Sequence, residues 1–137
     1  MERKIYFDES FPKYVVETIA KLAAQLPNFK VTIAATRDVL GRNGSDIELV
    51  KHLEAEHAWL VMREISPQRA RLEAQLLVQY GVPIFFLQLP KGEDQVWRSN
   101  KVLSTNLIQM LRIVNDPTAS HAYRIKAKGK IEPIEIF

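Results

Sequence analysis

Four acids, Asp8, Asp46, Glu64 and Glu73, stand where carboxylates are costly, and their types suit a metal centre. Asp8 follows Ile5, Tyr6 and Phe7, which places a charge at the end of an apolar, strand-like run. Asp46 shares a helical face with Leu49, Val50 and Leu53, at i+3, i+4 and i+7. Glu64 follows the run "AWLVMR", and Glu73 shares a face with Leu76, Leu77 and Tyr80. Singly, each has an ordinary explanation. Asp8 or Glu9 can cap the following helix, and Asp46 suits the positive end of a helix dipole. Glu64 can pair with a neighbouring Arg, and Glu73 with Arg69 at i−4. As a set, inward carboxylates repel one another unless a countercharge is present. Hard oxygen ligands with no cysteine and no inward-facing histidine pair suit Mg2+ or Mn2+. Two such ions can activate water and steady the leaving oxygen in phosphodiester hydrolysis.

The elements that must hold these acids alternate between strand and helix. Residues 4 to 8 read as a strand, and residues 12 to 26 as a helix with an apolar stripe at Val15, Ile19, Leu22 and Leu26. Ser10 is the expected N-cap of that helix, and Pro12 suits its first turn. "KVTIAA" at 30 to 35 is a second strand, followed by a turn at "RNGSD" and a helix to about His57. Ser45 and Glu48 form a capping box for that helix. A strand at 58 to 63 leads to Ser66 and Pro67, which open a helix ending near Gly81. "PIFFLQL" at 83 to 89 is apolar enough for burial on both faces. The longer helix "DQVWRSNKVLSTNLIQMLRIV" carries a stripe of Val96, Trp97, Leu103, Leu107, Leu111 and Val114, and Trp59 and Trp97 are expected in the core. His52, His57 and His121 are scattered and read as surface or packing residues. The tail "AYRIKAKGKIEPIEI" alternates apolar and basic residues and reads as a hairpin or extended arm. Alternating strands and helices predict an α/β fold, a mostly parallel sheet with helices on both faces. Ligands in such sheets collect at the carboxyl ends of the strands, where Asp8 and Glu64 fall.

The 137 residues fit one domain, taken as 1–137, and no repeat or linker divides them. The absence of cysteine excludes a disulfide framework and thiolate chemistry, and is compatible with a cytoplasmic location. No apolar run approaches the roughly 18 residues of a membrane span, and no signal-peptide pattern stands at the N-terminus. A net charge of +3 permits nucleic-acid binding without demanding it.

"IYFDESFP", "GSDIE" and "WLVMRE", in that order, resemble the PIN-like domains, most closely those of VapC-type toxins. The first strand of that family ends in a D-E-N-like motif, matched by Asp8, Glu9 and Ser10. A central helix begins with an acid, matched by Asp46. A later strand ends in a T-x-D-like motif, matched by Met62, Arg63 and Glu64, and a further acid about nine residues on is matched by Glu73. A "GVPIFFL" strand, a long helix and a "Y-R-I-x-x-x-G-x-I" tail extend the resemblance over nearly the whole chain. The pattern is altered at Ser10, where Asn is common, at Met62, where Ser or Thr is common, and at Glu64, where Asp is usual. The added methylene of Glu64 shifts a carboxylate by about 1 Å, and shifts of that size can cost about 100-fold in rate.

The resemblance implies a three-layer α/β/α PIN-like domain with a C-terminal hairpin or arm, acting as a metal-dependent endoribonuclease. Asp8 would be the central Mg2+ or Mn2+ ligand, completed by Asp46 and Glu64, with Glu73 on a second ion or on metal-bound water. Glu9 is a weaker candidate, because adjacent strand residues face opposite ways. Lys13, Arg63 and Arg69 could hold RNA phosphates. Arg124, Lys126 and Lys128 either extend that track or form a solvated edge that discourages aggregation. The resemblance further implies a small VapB-like or other DNA-binding antitoxin partner, and is compatible with a homodimer. Two rivals stand beside it. One is a degenerate PIN-like module that binds RNA or protein without cleaving. The other is a receiver domain, which needs a phospho-acceptor Asp where Glu64 stands and a Lys such as Lys91.

Overall fold

The computed structural model describes residues 2–40, 46–89 and 95–135. Strands β1 (Arg3–Phe7), β2 (Val31–Ala35), β3 (Trp59–Arg63), β4 (Ile84–Gln88), β5 (Ala122–Lys126) and β6 (Ile131–Pro133) form one sheet in the order β2-β1-β3-β4-β5-β6. The pairings from β2 to β5 are parallel, and β6 returns antiparallel to β5. Between the strands run α1 (Lys13–Ala24), the short α2 (Arg37–Leu40), α3 (Asp46–Ala55), α4 (Pro67–Gln79) and α5 (Gln95–Val114). The expected α/β class and mostly parallel sheet are therefore present. The tail is a hairpin, and its first strand is a full parallel member of the sheet. The turn expected at "RNGSD", the Ser45 half of the capping box and Lys91 lie outside the described residues.

Strand parity sorts the core. Ile5, Phe7, Trp59, Val61, Phe85, Leu87 and Ile125 pack against α1 and α5 on one face. Tyr6, Leu60, Ile84, Phe86 and Ala122 pack against α3 and α4 on the other. Both faces are covered, which is why the central strands read as unbroken apolar runs. The face of α3 carrying Leu49, Val50 and Leu53 meets the sheet, as its periodicity predicts. Glu56, just past the end of α3, ties it to β1, pairing with Lys4 at 2.8 Å and accepting from the Tyr6 hydroxyl at 2.7 Å. Among the described residues, no helix is long and apolar enough to cross a membrane.

Three local expectations are corrected. Ser10 does not cap α1. Pro12 occupies the cap position with no side-chain bond, and Ser10 turns back to Asp8. Trp97 is not in the core but is 70 % exposed, and Val96 is also exposed. The buried face of α5 runs through Ser99, Leu103, Asn106, Met110 and Val114, and Trp97 lies about 200° around the helix from Ser99. The buried polar amide of Asn106 is satisfied by donating to the Val102 carbonyl at 2.7 Å. On α4 the buried residues are Ala70, Ala74 and Leu77, while Leu72, Leu76 and Tyr80 are exposed. Ser66 does cap that helix, accepting from the Arg69 amide at 3.2 Å. The two tryptophans thus occupy opposite environments, with Trp59 only 6 % exposed. Iodide should quench a large share of the intrinsic fluorescence, and Trp97→Phe should remove that share and shift the remaining emission to the blue. Quenching unchanged by the substitution would contradict the placement of α5.

Candidate active site at the sheet switch point

The winding direction of the sheet reverses between β1 and β3, and the crevice outside the carboxyl ends of such a pair is the usual ligand site of doubly wound sheets. Asp8 and Glu64 each extend these strands by one bond. The Asp8 amide donates to the Val61 carbonyl at 3.1 Å, and the Glu64 amide to the Leu87 carbonyl at 2.9 Å. Both residues have the parity of Tyr6 and Leu60, so both side chains belong to the α3/α4 face. Glu9 and Arg63 have the opposite parity. Glu9 is exposed, and Arg63 donates to Gln95 at the start of α5.

A cleft of about 630 Å³ opens there, lined by Asp8, Arg63, Glu64, Arg69 and Glu73 among others. Three of the four predicted acids and two of the three predicted cations therefore meet. Lys13 does not join them. It is exposed on α1 and pairs with Glu17 at 3.6 Å. Asp46 opens α3. Its side chain lies outside the described residues.

Asp8 begins a tight turn, with the Phe11 amide donating to its carbonyl at 3.2 Å. The Ser10 amide donates to Asp8 Oδ1 at 3.1 Å, and the Ser10 hydroxyl bonds the same oxygen. This is an Asx-turn. It explains the orientation of the carboxylate but not its burial. Burial pushes the Asp8 carboxyl above its ordinary value. The Ser10 bonds and the Arg63 charge oppose that rise, and Glu9 adds to it. Burial likewise raises Glu73. Arg69, at 3.3 Å, opposes the rise, and the charge of Asp8 adds to it. Asp8 and Glu73 are thus two incompletely compensated carboxylates that act on each other across one cleft.

Glu64 is different. Its side chain is only 2 % exposed, and Arg124 of β5 holds both of its oxygens. Arg124 Nε donates at 2.9 and 3.0 Å, and a terminal nitrogen reaches Oε1 at 2.6 Å. Glu64 in turn holds the guanidinium above its ordinary value. Arg124 reaches across β4, which lies between β3 and β5. The bidentate pair satisfies Glu64 without a metal. Sequence alone leaves Arg124 on a basic track or a solvated edge and allows Glu64 an Arg partner without identifying it; that partner is Arg124. Lys126 is not free for such a track either, since it pairs with Glu132 at 3.1 Å.

The donor set fits a hard divalent ion in part. Asp8 and Glu73 suit one. Both Ser10 bonds go to Oδ1, so Oδ2 of Asp8 is the oxygen left for a ligand. Glu64 does not suit one while Arg124 holds it. Among the described residues, no three acidic, histidine or cysteine side chains converge tightly enough to hold a metal. The receiver alternative keeps the strand order. However, the carboxylate ending β3 is engaged on both oxygens and offers no free nucleophile.

The raised Asp8 carboxyl has a consequence for stability. An acid whose value is higher folded than unfolded contributes stability that is complete below the unfolded value, near 3.9, and lost as pH rises through the folded one. Ionising the half-buried Asp8 at higher pH therefore opposes folding. Asp8→Asn should raise the melting temperature by a few degrees at pH 7 in a chelator, with the gain shrinking as pH falls toward the unfolded value. A lower melting temperature at pH 7 would mean that the carboxylate is a structural turn residue and nothing more.

Compared with known proteins, the chain matches no family model, no curated protein and no solved structure.

Proposed function

We propose that the chain is a metal-dependent endoribonuclease of the PIN-like, VapC type, with its active site in the switch-point cleft. The observation that carries this proposal is the pairing of Asp8 and Glu73, two desolvated carboxylates from separate elements, in one cleft that also presents Arg63 and Arg69. Asp8 would be the principal ligand of Mg2+ or Mn2+, with Glu73 and Asp46 as the accompanying carboxylates. A bound ion there would supply a Lewis acid and lower the pKa of water for attack on phosphorus. Asp8 is held for that task by Ser10, while Arg63 and Arg69 can meet the phosphate oxygens. The coverage of both sheet faces supports the finer three-layer PIN-like assignment. The exposed apolar stripe of Leu72, Leu76 and Tyr80 on α4 supports a protein partner, either an antitoxin or a second copy.

One observation favours a second reading, a PIN-like module that binds RNA or protein without cleaving it. The acid that ends β3 is neutralised by Arg124. Calorimetric titration with Mn2+ separates the two. The ribonuclease requires heat of binding that Asp8→Asn removes and Glu64→Gln leaves largely intact. A folded wild-type protein that takes up no Mn2+ at millimolar concentration would leave the binding module.

A further inference from the structure

We infer that a second cavity, beside the acid cleft, is the subsite for a nucleotide flanking the cleavage point in single-stranded RNA. This inference rests on the ribonuclease proposal and extends it to the substrate. The cavity, about 380 Å³, lies between α5 and the turn of the β5–β6 hairpin. That volume is within the range of small-ligand sites. Its apolar lining is Leu89, Val102 and Ala127, and its cations are Arg98, Lys101 and Lys128. No acid lines it among the described residues.

Two observations select RNA. First, Leu89 lines both the cavity and the acid cleft, so the two neighbour each other just past the carboxyl end of β4. A strand with a phosphate near Asp8 and Glu73 would continue past Leu89 into the basic cavity. Second, the three cations are uncommitted. Other described cations near this edge carry acid partners: Arg124 with Glu64, Lys126 with Glu132 and Arg69 with Glu73. Arg98, Lys101 and Lys128 make no ion pair among the described residues. Arg98 and Lys101 are one turn apart on α5, and Lys128 faces them from the hairpin turn, where Gly129 adopts a positive φ of 90°. Cations on two sides of a partly apolar cavity match a nucleotide, with its base in the cavity and its phosphates on the rim.

The test is RNA affinity of an Asp8→Asn parent, measured by fluorescence anisotropy with a labelled single-stranded RNA over a salt series. The triple substitution Arg98→Gln, Lys101→Gln, Lys128→Gln should weaken binding on the order of 10- to 100-fold at 0.1 M salt. It should also reduce the slope of log K against log salt by about 2. A control of equal charge, Lys21→Gln, Lys51→Gln, Arg112→Gln, should change both far less. All six side chains are exposed, so neither variant disturbs the core. Equal losses in the two variants, or no loss in the first, would overturn the subsite and leave the ribonuclease proposal standing. A parent that binds no RNA even at low salt would overturn both.

Discussion

Asp8→Asn is expected to abolish metal-dependent RNA cleavage, lowering the rate by about 100-fold or more with either Mg2+ or Mn2+. The lower bound comes from geometry, since misplacing a reacting group by about 1 Å already costs about 100-fold. The introduced amide keeps an oxygen for the Ser10 bonds that set the turn but loses the charge a hard cation requires. Because the substituted protein should be more stable at pH 7, loss of activity cannot be attributed to unfolding. Glu73→Gln should also lower the rate, by a smaller factor, because Glu73 shares the cleft as a secondary carboxylate and is partly neutralised by Arg69. Cleavage by the Asp8→Asn protein at the wild-type rate would identify a contaminating nuclease and remove the proposal.

Much of this site was legible because strand ends are legible. Asp8 and Glu64 end apolar runs, and a buried parallel sheet advertises its strands as such runs. The separation of Asp8 from Glu9 followed from the two-residue period and holds in the fold. Helix faces were less legible. Trp97 was assigned to the core by its hydrophobicity, although its angle around α5 sets it opposite Ser99. On α4 the face drawn from Glu73 through Leu76, Leu77 and Tyr80 is only partly buried: Leu77 packs inward with the small Ala70 and Ala74, while Leu76 and Tyr80 are exposed, so the stripe is rotated toward the alanines. The Arg124–Glu64 pair was illegible for another reason. Its members are 60 residues apart and meet across an intervening strand. One signal was present: in "AYRIK", Tyr123 and Ile125 form one face and Ala122, Arg124 and Lys126 the other. Placing that segment beside β4 as a parallel strand puts Arg124 on the face of Asp8 and Glu64.

Arg124→Met is expected to destabilise the protein by about 3 kcal/mol, or roughly 10 °C in melting temperature. Removing one member of a buried pair costs about 3–5 kcal/mol, because the other is left charged and unsolvated. The lower end applies here, since the Arg124 side chain retains 18 % exposure. Glu64→Leu combined with Arg124→Met should recover most of the loss, as apolar replacements of buried pairs often do. Additive losses in the double variant would show that the two side chains are not coupled. The same variants connect stability to chemistry. Once Arg124 is gone, Glu64 is a buried carboxylate at the edge of a cleft that already holds Asp8 and Glu73. A divalent ion can then supply the missing charge. Millimolar Mn2+ should therefore raise the melting temperature of Arg124→Met more than that of wild type, since an ion that binds only the folded state stabilises it in proportion to its affinity. The double variant should lose that extra response. If Mn2+ restores nothing to Arg124→Met, Glu64 is a structural partner of β5 only, and the proposed metal site must do without it.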